Sequence, residues 1–225
     1  MKPLADVNGD FVAISFERTG PSQNHAGLCI RQGPGPAVLI ELQGHHRIEV
    51  GPLREAARLA VLGIDPLRLP AVVRYVRSVG QNPTDRIPYG IALPDDCFDA
   101  TSGAWLLGPT GRGLTCATFV VAVLKAAGLN LLAIWTWQER PDDETWRRSI
   151  IAALRRNPAN RQQADHVGRE GTCTRFRPEE VAGAGLVPVS DWPVAFTEAV
   201  RRAVTVIATA PPPPPSRPSA MSANR

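Results

Sequence analysis

The chain has 225 residues, 44% of them hydrophobic and 20% charged, a balance that supports a packed core and excludes disorder throughout. Its 25 basic and 21 acidic residues leave a net charge of only +4. That excess is small, and the arginines of the segment Arg147–Arg161 alternate with acids and aliphatics, so no dedicated nucleic-acid stripe is expected. The four cysteines lack paired C-x-x-C spacing and are expected as reduced thiols without a zinc site. Asp6 and Asp10 interrupt the opening residues, and no secretory signal is visible. The most apolar stretch, Phe119 to Trp137, is broken by Lys125 and Gly128-Leu129-Asn130, so it reads as a buried helix plus a connection. A cytoplasmic protein without a membrane span is the expectation.

In chain order, Asp10 to Glu17 is a β-favouring run. His25 to Arg31 alternates, Gln32 to Pro36 is a turn cluster, and Ala37 to Leu42 is a further apolar strand, which together predict an antiparallel hairpin. Alternation puts His25, Gly27 and Cys29 on one face and Ala26, Leu28 and Ile30 on the other. On the partner strand Leu39, Glu41 and Gln43 oppose Val38, Ile40 and Leu42, so His25 and Glu41 can share a face. Apolar residues at helical intervals predict helices over Leu53 to Leu62 and Leu67 to Val79. Asn82 to Pro94 is loop-like, as is the glycine-rich Thr101 to Gly113. The most regular helix follows at Cys116 to Ala127 and is closed by Gly128. Glu144 to Asn157 is amphipathic, Pro158 to Arg177 shows no clear period, Pro178 to Ala182 can start a short helix, and Trp192 to Ala208 is helical. From Pro211 onward the composition cannot bury a core, and residues 210–225 are expected to form a disordered proline-rich tail after a single domain over 1–209.

Chemistry concentrates at Gly113-Leu114-Thr115-Cys116, where a cysteine stands at the first turn of a buried helix behind a glycine-rich loop. Free N–H groups and the positive helix end favour a thiolate there and can hold a developing oxyanion. Cysteine is also a common small core residue, so a partner is needed. His25, at the start of a strand, supplies the general base, and Glu41 on the same face is the polar group that would orient its ring.

The order Gly9 to Val12 (GDFV), Asn24 to Arg31 (NHAGLCIR), Val38 to Glu41 (VLIE), Arg86 to Gly90 (RIPYG) and Leu114 to Val120 (LTCATFV) resembles the circularly permuted papain-fold hydrolases. These form the permuted branch of the NlpC superfamily, related to lecithin–retinol acyltransferase-like enzymes, in which the histidine strand precedes the cysteine helix. The likeness spans roughly Gly9 to Gly128. It implies an α+β, permuted papain-like fold, with a small antiparallel sheet on a central cysteine-bearing helix and helices around it. It further implies Cys116 as nucleophile, His25 as base and Glu41 as the third polar residue. Tyr89 falls where the family often carries an aromatic residue. Ala117 and Thr118 follow the cysteine where the family often has serine and an acidic or aromatic residue, and Ala26 follows the histidine in place of a β-former.

A rival base is His166 in Asp165-His166-Val167-Gly168, but the residues after it lack strand alternation, which favours His25. Gly108 to Thr115 has phosphate-loop glycine spacing, with Leu114 at the lysine position; its glycines are expected to let the backbone approach the cysteine. His45-His46, taken as strand neighbours, would point to opposite faces without a third metal ligand. Cys29 shares the His25 face and is expected as a packed thiol. The expectation is thus a cysteine-dependent hydrolase or acyltransferase acting on a small-molecule, peptide or lipid substrate through an amide or ester carbonyl, with no metal or organic cofactor. The contrasting reading is a non-catalytic binding module on the same fold, and a third is an arginine-rich nucleic-acid-binding protein.

Overall fold

The computed structural model describes residues 1–21, 23–82, 87–171 and 174–213. Five strands, β1 (Phe11–Gly20), β2 (Gln23–Arg31), β3 (Val38–Gly44), β4 (Arg47–Pro52) and β5 (Arg58–Val61), form one antiparallel sheet in the order β4-β3-β2-β1-β5. The α-helices are α1 (Leu69–Gln81), α2 (Cys116–Ala126), α3 (Asp143–Arg155), α4 (Arg161–Arg169), α5 (Pro178–Ala184) and α6 (Phe196–Thr209). The architecture is α+β, and among the described residues no helix is long and apolar enough to cross a membrane.

Alternation along β1 and β2 sorts the two faces of the sheet. Val12, Ile14 and Phe16 of β1, with Ala26, Leu28 and Ile30 of β2 and Ile40 and Leu42 of β3, enter one buried cluster with the helices. α2 lies on β2 and β3, α1 on β1 and β2, and α5 on β1 and β2. Nine of the eleven residues of α2 are buried, so its covered surroundings, more than amphipathic patterning, explain its all-round apolarity. Phe119 is fully covered, with the Phe98 ring edge-on at 6.1 Å. The opposite face carries a smaller cluster of Phe11, Ala13, Cys29, Leu39 and Leu59, beneath Val7, Leu4 and Leu53. Arg31 clamps that side: its guanidinium lies 4.9 Å from the Phe11 ring centroid and donates to the carbonyls of Gly9 and Val7.

Three local expectations are corrected. The segment 53–62 is not a helix: Arg58–Val61 is the edge strand β5, with Ser15 paired to Leu59 and Ile14 to Ala60. The helical spacing there comes from a few aliphatics, and pairing with β1 places Leu59 in the smaller cluster and Ala60 in the larger one. β4 forms from residues to which the sequence reading gave no strand. Within 158–177, α4 forms because Gln163, Ala164 and Val167 share a buried face, a pattern too short to stand out among polar neighbours. The proline-rich tail lies outside the described residues from 214 onward.

Candidate active site

Cys116 is the first residue of α2, and the helix start is fixed by its cap. Thr115 Oγ1 accepts from the Thr118 N–H at 3.1 Å, and Thr118 Oγ1 accepts from the Thr115 N–H at 2.8 Å. This reciprocal pair satisfies two backbone donors and fixes Cys116 at the first turn. The Ala117 N–H is directed at the sulfur.

The second wall is β2, which pairs with β1 along its length but with β3 only from Leu28↔Ile40 to Ile30↔Val38. The first half of β2 therefore has an edge free of ladder bonds, and the Ala26 N–H on it is also directed at the Cys116 sulfur. His25 is the preceding residue, and its imidazole lies within side-chain hydrogen-bonding reach of the same thiol. An interrupted strand ladder and a capped helix start thus converge on one sulfur atom. Gly27 is required at this crossing, since a Cβ there would stand 2.9 Å from the Glu41 Cβ.

His25 Nε2 lies 3.0 Å from Glu41 Oε2. That is an ion-pair distance, although the N–H direction is off-line for a hydrogen bond. Glu41 is 1% exposed. Arg54 grips its two oxygens at 2.6 and 2.7 Å, Gln43 donates to Oε1, and Arg54 also bonds Glu17. Burial alone would raise the Glu41 pKa, but His25, Arg54 and Gln43 outweigh it and hold the carboxyl at about 2. Burial likewise works against a charged His25, yet the Cys116 thiolate and Glu41 raise the ring to about 10. Burial opposes the Cys116 thiolate too; the His25 charge and the two backbone N–H groups reverse this, and the thiol lies below its ordinary value. The arrangement favours a thiolate–imidazolium pair backed by a fixed carboxylate.

The loop before α2 lies alongside. Tyr89 pairs with Leu114 in a parallel bridge, with Gly90 N–H to Leu114 O at 3.1 Å and Leu114 N–H to Pro88 O at 3.0 Å. The glycine before this cysteine serves that contact, since a Cβ on Gly113 would lie 2.2 Å from the Pro88 oxygen. The close approach is to the Pro88–Gly90 segment, which corrects the expectation that it is to the cysteine. Gln163 of α4 ties the loop down, donating to the carbonyls of Tyr89 and Gly111 and accepting from the Gly111 N–H. Burial first, then the Cys116 charge, raises the Tyr89 phenol.

His45 and His46 occupy the β3–β4 turn, not a strand, and their rings stack at 3.8 Å. His45 Nδ1 accepts from the Tyr89 N–H at 3.1 Å and His46 Nε2 meets the Pro109 carbonyl at 2.5 Å. The pair anchors the hairpin to the loop. Burial and the neighbouring His46 lower His45 to about 4. His166 sits on α4, 3.5 Å from Glu170, in a second cavity of about 880 Å³ with Arg112 and Trp135, which shares the Phe176 wall with the cleft at Cys116. Cys29 and Cys97 are buried thiols that burial pushes up to about 12. Among the described residues no three His, Cys, Asp or Glu side chains are grouped to hold a metal. Arg86 of the RIPYG string and Cys173 lie outside the described residues.

Cys116 opens into a cleft of about 330 Å³ lined by Gln23, Asn24, Tyr89, Trp146, Arg175 and Phe176, among others. Alternation had already placed Gln43 on the Glu41 face. Arg54 was hidden by the helical reading of its segment, and Arg175 by the lack of any period around it. Comparison with known proteins found no matching family model, curated relative or solved structure.

Proposed function

We propose that the protein is a cysteine-dependent hydrolase or acyltransferase acting on amide or ester carbonyls, built as a permuted papain-like domain in which the histidine strand precedes the cysteine helix. One observation carries the reading: the Cys116 thiol and the Glu41 carboxylate both meet the His25 ring, the carboxylate at 3.0 Å. Three residues from separate elements converge with the charge states that nucleophilic catalysis needs.

In this reading the Cys116 sulfur attacks the substrate carbonyl carbon and the carbonyl π electrons move to oxygen. The N–H of Cys116, free at the helix start, helps stabilise that oxyanion. As the tetrahedral species collapses, the carbon–leaving-group bond breaks and His25 donates its proton to the departing amine or alcohol. Neutral His25 then takes a proton from water, or from another acceptor, as that nucleophile attacks the thioester. The tetrahedral species formed expels the Cys116 thiolate and leaves the imidazolium that restores the ion pair. Glu41, held by Arg54 and Gln43, keeps the ring oriented and offsets its charge throughout.

Mixing the protein with p-nitrophenyl acetate tests this. A burst of p-nitrophenol with the acetyl group found on the Cys116 peptide is expected, and Cys116→Ala should remove it. Acetylation confined to other side chains would refute the proposal.

A further inference from the structure

The chemistry of the Cys116 cleft reaches beyond the thiol and its base, because an arginine faces into it. Arg175 lines the cleft together with Trp146, whose ring lies under its guanidinium at 4.9 Å. Stacking on an indole orients the planar group and leaves its N–H edge free for a second, in-plane partner.

The acids around Arg175 are committed elsewhere. Asp142 is gripped through both oxygens by Arg177 at 2.7 and 2.9 Å, and its approach to Arg175 is 3.7 Å. Asp143 is occupied by Arg140 and accepts the Arg175 backbone N–H rather than its guanidinium. Glu179 accepts from the Asn24 side chain at 2.9 Å. Among the described residues, the Arg175 guanidinium has that 3.7 Å approach to Asp142 as its ion pair and donates a hydrogen bond to no carboxylate, although its side chain is only 21% exposed. Burial and the adjacent Arg177 outweigh these acids and lower its pKa. A confined cation so weakly neutralised, on the wall of a nucleophile's cleft, is a receptor for an anion.

We infer that the substrate carries a carboxylate close to its scissile carbonyl, and that Arg175, stacked on Trp146, binds that carboxylate and sets specificity for anionic acyl compounds. The inference rests on the cysteine-hydrolase reading for its scissile bond; the anion site itself stands on the cleft geometry. Arg175 touches no reacting atom and acts on which substrate is held.

Two measurements separate this inference from the reading beneath it. The first compares alkylation of Cys116 by iodoacetate, which carries a carboxylate, and by neutral iodoacetamide, and takes the ratio of the two rates as the readout. The His25 imidazolium contributes equally to this ratio in both proteins. Arg175→Gln should therefore lower it by about tenfold, the usual weight of one charge-assisted pair. An unchanged ratio with a reactive Cys116 overturns the anion site and leaves the nucleophile intact. An inert Cys116 instead defeats the cysteine-hydrolase reading, and the second measurement then decides the anion site alone. Succinate is titrated against the full chain while tryptophan fluorescence is followed, with succinamide as the neutral control. A saturable change with succinate only, lost in Trp146→Phe and in Arg175→Gln, supports the site. Equal responses to both compounds, or no response to either, refute it.

Discussion

Among the described residues there are two histidine–glutamate pairs, and their contrast shows what keeps such a carboxylate ionised. His25 and Glu41 come from adjacent strands, with Arg54 and Gln43 closing on the carboxylate and a thiol on the other side of the ring. His166 and Glu170 stand one turn apart on the α4 end at 3.5 Å, and among the described residues Glu170 has no hydrogen-bond partner. Both carboxylates are covered. Yet Glu41 is pulled down to about 2, whereas burial leaves Glu170 raised despite His166 and Arg112. The partners behind the carboxylate, more than the histidine in front, decide whether it stays ionised.

The largest way to sharpen this contrast is to remove each histidine in turn. His25→Ala should slow Cys116 alkylation at neutral pH by roughly thirtyfold, since an unassisted thiol is only a few per cent ionised there. His166→Ala should change the same rate by no more than about twofold, as expected for a residue outside the thiol's network. Equal effects would erase the distinction.

Removing the carboxylate's anchor comes next. Arg54→Met leaves Glu41 buried with one cationic partner fewer and should cost about 2–4 kcal/mol in urea unfolding, because breaking a covered ion pair strands its other half. Acid should act through the same group. The folded pKa of Glu41 lies near 2, below its ordinary 4.5, so its contribution to stability is fully present above the ordinary value. It is lost as pH falls from there toward 2, and Glu41→Gln should flatten that part of the stability–pH curve. The smallest effect belongs to the helix start: Thr115→Ala removes the cap oxygen of α2 and should cost about 1 kcal/mol, read from the same unfolding curves.

The β2–β3 hairpin was legible because its side chains alternate strictly. The same alternation allows His25 and Glu41 to share one face. Helix α2 was legible from its apolar run and from Gly128, whose φ of 77° ends it in the left-handed region. Arg54 was not legible. Its contact with Glu41 depends on β4 and β5 bracketing a short connection, whereas Leu53 to Leu62 carries helical spacing that strand pairing with β1 overrides. Arg175 was hidden for a related reason: it lies in an irregular segment, and only the packing of α3 brings Trp146 beneath it. Residues on periodic elements announce their faces, while residues on connections acquire neighbours only through the assembled fold.

The ion pair between Cys116 and His25 is the centre of the account, and the pH dependence of Cys116 alkylation by iodoacetamide tests it most directly. The wild-type rate should run flat through neutral pH, because the thiol is lowered while the ring holds its proton up to about 10. In His25→Ala the rate should instead climb with pH as an ordinary thiol ionises. A wild-type rate that rises steadily through neutrality, no faster than at Cys29 or Cys97, would contradict it.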